Sequence, residues 1–251
     1  MPLNHKKIAL TGAQGGIGQH LLQRLKQCNA DVITIGRQPE KNIIHADLAN
    51  SKDVESVCDQ LKEKRIDILI NLAGLMYFGD TNKLSVEKLN DIVNVNLSTP
   101  MLLTAAVIPN MLKFEQGHIV NIGSIFGSLP FPYFSAYSAT KAGLKGFSES
   151  LRREYSARGL NVSHISPRAV ETKFNTKKMT QFNQRTRANI DSPEIVANII
   201  INAIIEKKRN VNIGFAENIF VHVNALLPSI VDRALASKQV IANQVLSGDL
   251  S

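Results

Sequence analysis

Thr11-Gly12-Ala13-Gln14-Gly15-Gly16-Ile17-Gly18 lies between a short apolar run, Ile8-Ala9-Leu10, and a segment of helical periodicity over residues 17–26. That order of apolar run, glycine-rich turn and helix decides the fold. Glycines in such a turn let the backbone come close to a pyrophosphate, and the helix start offers unpaired N–H groups and a positive dipole end. Glycines also make ordinary tight turns. The strand before this one and the helix after it narrow the reading to an anion cradle.

Working outward, the runs at 6–10, 31–35, 67–71, 118–122 and 161–165 are rich in Ile, Val and Leu without polar alternation. Strands buried on both faces of a parallel sheet read this way. Helical periodicity fills 51–64, 86–112 and 135–158 between them. Such alternation implies an α/β fold, a Rossmann-like doubly wound parallel sheet with right-handed crossovers. With no internal repeat, low-complexity tract or linker, a single domain is expected, with its core over 6–213 and a helical C-terminal extension over 215–251. Two regions break the alternation. Residues 168–189 are polar, basic and poorly periodic, and read as a long loop beyond a strand end. In 216–246, Ile219, Phe220, Val223, Leu226, Leu227, Ile230, Val231 and Leu235 recur at helical spacing, with Pro228 expected to break or kink the helix.

Composition removes several classes. The 251 residues are 44% hydrophobic and 20% charged, which excludes a disordered chain. A core of this size needs no disulfide or metal staple. Cys28 and Cys58 make neither a disulfide framework nor a C-x-x-C pair, as suits a reducing, cytoplasmic setting. No metal site is expected. The start of the chain lacks a signal-peptide pattern. The longest apolar stretch, 195–205, contains Asn198 and Asn202 and falls short of the ~20 residues of a transmembrane span. The net charge of +8 admits nucleic acid, an anionic membrane surface, or an anionic cofactor and substrate. No nucleic-acid-binding motif accompanies it.

Tyr137-Ser138-Ala139-Thr140-Lys141 falls within a helical segment. Its i and i+4 members share one face, so phenol and ammonium meet the same space. A phenol titrates near ~10, and a neighbouring cation lowers that value, as acid–base work at neutral pH requires. Ser124 lies just past the run at 118–122, and Asn96 lies in Asn94-Val95-Asn96. Each alone reads as a turn serine or a helix asparagine.

Together with the turn Thr11–Gly18, whose spacing of Gly12, Gly16 and Gly18 resembles T-G-x-x-x-G-x-G, these four residues resemble the short-chain dehydrogenase/reductase family over about residues 6–213. The resemblance implies hydride transfer between a nicotinamide and a carbonyl or alcohol carbon. Asn96, Ser124, Tyr137 and Lys141 would be the catalytic set. Tyr137 would exchange the proton, Ser124 would hold the substrate oxygen, and Lys141 would lower the Tyr137 pKa and hold the nicotinamide ribose. Asn96 would position a water linking Lys141 to solvent. Cofactor contacts are implied for Gly12, Gln14, Gly16, Ile17, Gly18, Asp47, Leu48, Asn71, Ala73, Gly74, Tyr137, Lys141, Pro167 and Thr172. Arg37, one residue past the position where an acidic side chain would bond the ribose of NAD, suits a 2′-phosphate, so NADP(H) is expected over NAD(H). A homodimer or homotetramer is implied.

The chain also departs from that pattern. Leucine stands at position 72 where the family's N-N-A-G segment has its second asparagine. Arg168 stands where the family has glycine after Pro167, so the local turn is expected to differ, and Arg168 reads either as a substrate contact or as a rim residue. Between 168 and 187, six basic residues (Arg168, Lys173, Lys177, Lys178, Arg185, Arg187) face one acid, Glu171. That charge suits an acyl substrate on coenzyme A or an acyl carrier, or is a solvated loop. The C-terminal helical segment replaces the short glycine-containing strand of carrier-linked ketoreductases. It suits a lipid- or steroid-like carbonyl substrate, an oligomer interface or peripheral membrane contact. The alternative function is a non-catalytic dinucleotide-binding redox sensor.

Overall fold

In a computed structural model describing residues 2–38, 42–172 and 174–248, the apolar runs assemble into a seven-stranded sheet. In chain order the strands are β1 (Lys7–Thr11), β2 (Asp31–Gly36), β3 (Ile43–His45), β4 (Ile68–Asn71), β5 (Gly117–Ile122), β6 (Leu160–Ser166), β7 (Ala169–Val170), β8 (Ile190–Asp191) and β9 (Asn210–Asn212). The sheet order is β3-β2-β1-β4-β5-β6-β9, with β7 and β8 paired separately, and every ladder is parallel. Every residue of β4 and β5 is buried, which is why these strands are rich in Ile, Leu and Val without polar alternation.

The helices are α1 (Gly16–Gln27), α2 (Ser51–Lys62), α3 (Val86–Val93), α4 (Thr99–Lys113), α5 (Ser135–Glu154), α6 (Lys177–Arg185), α7 (Pro193–Ile205), α8 (Phe215–Leu226) and α9 (Pro228–Ser247). Leu21 and Leu25 of α1 and Val196 and Ile200 of α7 cover one face of the sheet. Val54 and Leu61 of α2, Leu103 and Val107 of α4 and Leu151 of α5 cover the other. The chain winds outward from β1 through β2 and β3, then crosses back to β4 and winds the opposite way. A crevice therefore opens at the carboxyl ends of β1 and β4, the reversal point where ligands bind in such sheets.

Four details differ from the sequence reading. The segment 86–112 is two helices joined by a π-helical turn, Asn94–Ser98. Residues 168–189 are not a loop throughout: α6 forms there, capped by Thr176, whose Oγ1 accepts the Met179 N–H at 3.3 Å. The short edge strands β3 and β9 carry too few apolar residues to stand out in the sequence. The apolar stretch at 195–205 is the body of α7, entered through Pro193 at its first turn. The break expected at Pro228 does occur, at Leu227 between α8 and α9. Residues Val86–Lys113 are long and apolar enough to cross a bilayer by composition, but more than half of that segment is buried against the sheet.

Candidate active site

The carboxyl ends of the central strands open into a cleft of about 1370 Å³. At its floor the glycine turn is held by contacts that only glycine permits. Gly12 has φ +73°, and a Cβ there would stand 2.7 Å from the Ala73 nitrogen. A Cβ on Gly18 would collide with the Gly12 carbonyl oxygen. The α1 helix is entered through Gly15 at its N-cap, which offers no side-chain cap, leaving its first N–H groups to a ligand. An uncapped helix start above a backbone that no Cβ could enter fits the pyrophosphate of a dinucleotide.

Gln14, Gly16, Ile17, Arg37, Asp47, Leu48, Ala73, Gly74, Pro167 and Thr172 all line this cleft. Gln14 reaches across to the end of β2, where its Nε2 donates to the Gln38 carbonyl at 3.4 Å. Arg37 is exposed beside it and, among the described residues, forms no ion pair. Asn71 does not join the cleft wall. It pairs in register with Asn121; its Nδ2 donates to Asn121 Oδ1 at 2.8 Å and more weakly to Thr104 Oγ1 at 3.5 Å. The cofactor contact expected of its side chain is thus replaced by a buried tie between β4 and β5.

Tyr137 and Lys141 stand one turn apart on α5 and are both buried, at 6% and 4% exposure. Burial pushes the Tyr137 phenol up to about 12, with the neighbouring Ser124 hydroxyl pulling the other way. Burial takes Lys141 down to about 8. The lowering of Tyr137 by Lys141 expected from the sequence does not appear: burial dominates and the one opposing influence is the Ser124 hydroxyl. Lys141 Nζ is 5.8 Å from the phenol ring centre and donates instead to the Ile122 carbonyl at 2.9 Å. Ser124, just beyond β5, has its Oγ accepting the Phe126 N–H at 3.2 Å.

Asn96 lies in the π-helical turn and is fully buried. Its Oδ1 accepts the Leu75 N–H at 2.7 Å, and its Nδ2 donates to the Leu75 carbonyl at 2.8 Å and to Thr140 Oγ1 at 3.1 Å. The amide thus pairs with a peptide group as a strand would and ties the exit of β4 to α5. Both of its N–H groups are engaged within the protein, so a water-holding role for them gives way to a positioning one. An irregular turn at a functional position is the usual place for a π-bulge.

Above Tyr137 the cleft becomes aromatic. Phe126 meets the Tyr137 ring edge-on at 6.3 Å and stacks on Phe131 at 4.8 Å. Phe78 stacks on Phe134 at 4.6 Å, and Phe182 of α6 packs on Phe134 at 5.9 Å. The C-terminal helices form the roof, with Val231 of α9 packed on Ile125 and Leu129 and Ala242 packed with Met179 and Phe182 of α6. Lys178 Nζ of α6 donates to the Leu246 carbonyl of α9 at 2.8 Å, and Lys238 Nζ of α9 donates to the Thr186 carbonyl at 2.7 Å. Each helix thereby satisfies a terminal carbonyl of the other.

Arg168 lines the cleft but is not a free rim residue. Its Nε and Nη2 grip Asp191 at 2.9 and 2.8 Å, and its Nη1 lies 3.3 Å from Glu217 of α8. The backbone at 168 is not left-handed; the positive φ nearby, +108°, belongs to Gly214, where a Cβ would run into Glu217. The basic character of 168–187 is therefore partly structural. Arg168 is paired, Lys178 and Arg185 hold α9, and Lys173 lies outside the described residues. The sequence reading missed the roof residues Asn183 and Lys238, although Thr176 followed by Met179 and Phe182 at i,i+3 spacing is a signal that could have revealed α6.

The profile of the short chain dehydrogenase family matches residues 6–183. Dehydrogenase/reductase SDR family member 7B of Danio rerio is 28% identical over 94% of this chain and 86% of its own length. The 3-oxoacyl-[acyl-carrier-protein] reductase of Escherichia coli is 35% identical over 66% of this chain and 74% of its own. A short-chain dehydrogenase from Sphingobium yanoikuyae, solved in complex with NADPH, superposes with a TM-score of 0.76 at 24% identity, covering 90% of this chain and 96% of that one. With the matched profile spanning both the glycine turn and the Tyr137–Lys141 helix, the chain belongs to the short-chain dehydrogenase/reductase family, oxidoreductases that act on CH–OH and C=O groups with nicotinamide cofactors.

Proposed function

We propose that this protein is an NADP(H)-dependent carbonyl reductase or alcohol dehydrogenase for an apolar or acyl-type substrate. The observation that carries the reading is the convergence of Tyr137, Ser124 and Lys141 at the base of an aromatic chamber, where that chamber meets the glycine-turn cleft. Gly12, Gly16, Gly18 and the start of α1 hold the pyrophosphate, Asp47 and Leu48 flank the adenine, and Ala73, Gly74, Pro167 and Thr172 flank the nicotinamide half. Arg37 and Gln14 take the 2′-phosphate, Arg37 through a bidentate fork. The bound nicotinamide supplies or accepts the hydride.

With its pKa pushed up to about 12 by burial, Tyr137 holds its proton at neutral pH and donates it to the carbonyl oxygen on reduction. The Ser124 hydroxyl donates a second hydrogen bond to that oxygen as its charge develops. Lys141, largely protonated at neutral pH, stabilises the phenolate left behind. Asn96 acts through Leu75 and Thr140 by fixing the position of α5.

Two features support the substrate class. The rings of Phe126, Phe131, Phe134 and Phe182, which line the cleft with Tyr137, favour an apolar body, such as a lipid- or steroid-like ketone. The similarity to a 3-oxoacyl-carrier reductase and the exposed Lys177 and Arg187 favour an acyl-thioester on coenzyme A or a carrier protein. Exposed apolar residues on α8, Phe215, Ile219 and Phe220, suit a homodimer or homotetramer. The test is oxidation of NADPH, and separately of NADH, against a panel of acyl-thioesters, retinoids, steroids and small ketones. Turnover that is faster with NADPH supports the proposal. Tight NADPH binding without turnover of any carbonyl would overturn it in favour of a redox sensor.

A further inference from the structure

The substrate chamber has a second polar end that the acid–base residues do not explain. Met179, Phe182 and Asn183 of α6 and Thr186 at its C-cap recur at helical spacing and all line the cleft. Asn183 is 8% exposed, yet its side-chain amide has no hydrogen-bond partner among the described residues, in contrast to the fully engaged amide of Asn96. The amide opens onto the cleft wall, where its N–H groups are free to donate to a ligand. Next to it, Lys238 projects from α9 into the same cleft. Lys238 Nζ donates one hydrogen to the Thr186 carbonyl and forms no ion pair among the described residues. Glu217, the carboxylate of the roof, is taken by Arg168, and Glu171 lies exposed on the rim.

We propose that Asn183 and Lys238 form an anchor for an oxyanion on the substrate, on the α6–α9 wall of the chamber, which the packed rings of Phe126, Phe134 and Phe182 connect to Tyr137. Resting on the carbonyl-reductase reading above, this defines the substrate class as an apolar ketone or alcohol with a carboxylate or phosphoryl group at its far end. Asn183 donates its N–H groups to that oxyanion, and Lys238 supplies the compensating charge. Both residues are specificity-determining, and neither takes part in the proton or hydride transfer.

The test uses three aryl ketones identical except for the tail: a carboxylate, a phosphate monoester and a methyl ester. In the full-length enzyme kcat/KM is expected to favour the better anionic tail over the ester by about tenfold or more, through KM. Comparing the two anionic tails identifies the source of the oxyanion. Lys238→Met and Asn183→Leu are each expected to reduce that ratio about tenfold. Asn183→Asp, which keeps the size and shape of the side chain, is expected to invert it, guarding against loss of α6 packing in the leucine variant. A preference that survives high salt marks direct contact, whereas one abolished by salt is long-range steering and overturns the anchor. Calorimetry of the same ketones on the enzyme–NADP⁺ complex reads the anchor without turnover. Anion-selective binding lost in Lys238→Met supports the anchor even if no ketone is reduced, an outcome that would defeat only the reductase reading. Reduction of all three ketones with equal kcat/KM overturns the anchor and leaves the reductase reading standing.

Discussion

Lys141 stands beside Tyr137 without bonding to it: its Nζ is 5.8 Å from the phenol ring centre and is hydrogen-bonded to the Ile122 carbonyl. Both groups are buried, and each is shifted against its charged form. Burying the pair therefore carries a cost to the fold.

Lys141→Met should show that cost. With Lys141 at about 8 in the folded chain and 10.5 as the ordinary value, the unfolded state binds more protons between those pH values. Stability thus rises with pH through that window, and the penalty is complete below about 8. It amounts to about 3 kcal/mol, offset by about 1 kcal/mol for the lost bond to Ile122. Thermal melts at pH 7 should place the variant about 4–8 °C above the parent, with the gap narrowing toward pH 10. A lower Tm at pH 7 would contradict the electrostatic reading.

Tyr137→Phe removes the exchangeable proton and leaves the ring to pack against Phe126. Turnover should fall by about 10²–10⁴-fold, while NADPH affinity, measured by fluorescence titration, changes by less than about threefold. Retained turnover would assign the proton to another group.

Arg37→Ala should act on cofactor choice alone. The ratio of kcat/KM for NADPH over NADH should drop by about 10–100-fold, the size expected when a charged fork on a phosphate is lost. An unchanged ratio would place the 2′-phosphate elsewhere.

Arg168→Ala leaves Asp191 and Glu217 partly buried without their cation. The loss, discounted for the 23% exposure of the arginine, is about 1–2 kcal/mol. It should appear as faster proteolysis within residues 215–248 and a higher KM, with NADPH affinity preserved. Glu217→Gln should reproduce a milder form. Equal cleavage rates in parent and variant would remove the clasp from the account.

What could be read from the sequence follows the strength of each local signal. The central strands and the glycine turn were legible because burial on both faces concentrates Ile, Val and Leu without polar alternation and because a backbone approach such as Gly18 to Gly12 tolerates nothing larger. Tyr137 and Lys141 were legible as a helical i,i+4 pair. Asn96 was legible as a candidate, but its job was not, since pairing with the Leu75 peptide depends on a π-helical turn that no periodicity announces. Asn71 misled because strand-end asparagines look alike whether they face a cleft or, as here, Asn121. The α6 helix was hidden by its composition: only Met179, Phe182 and Asn183 of its residues are buried, too few to register as an apolar face. Arg168 could not be placed at all, because its partners Asp191 and Glu217 are distant in sequence.

The exchanged lysine caps couple α6 to α9. Lys178 completes the end of α9 and Lys238 completes the end of α6, so displacing either helix breaks a terminal bond of the other and leaves a main-chain carbonyl without its cation. The aromatic wall that α6 contributes through Phe182 is thereby braced by a helix whose lysine lies 52 positions further along the chain.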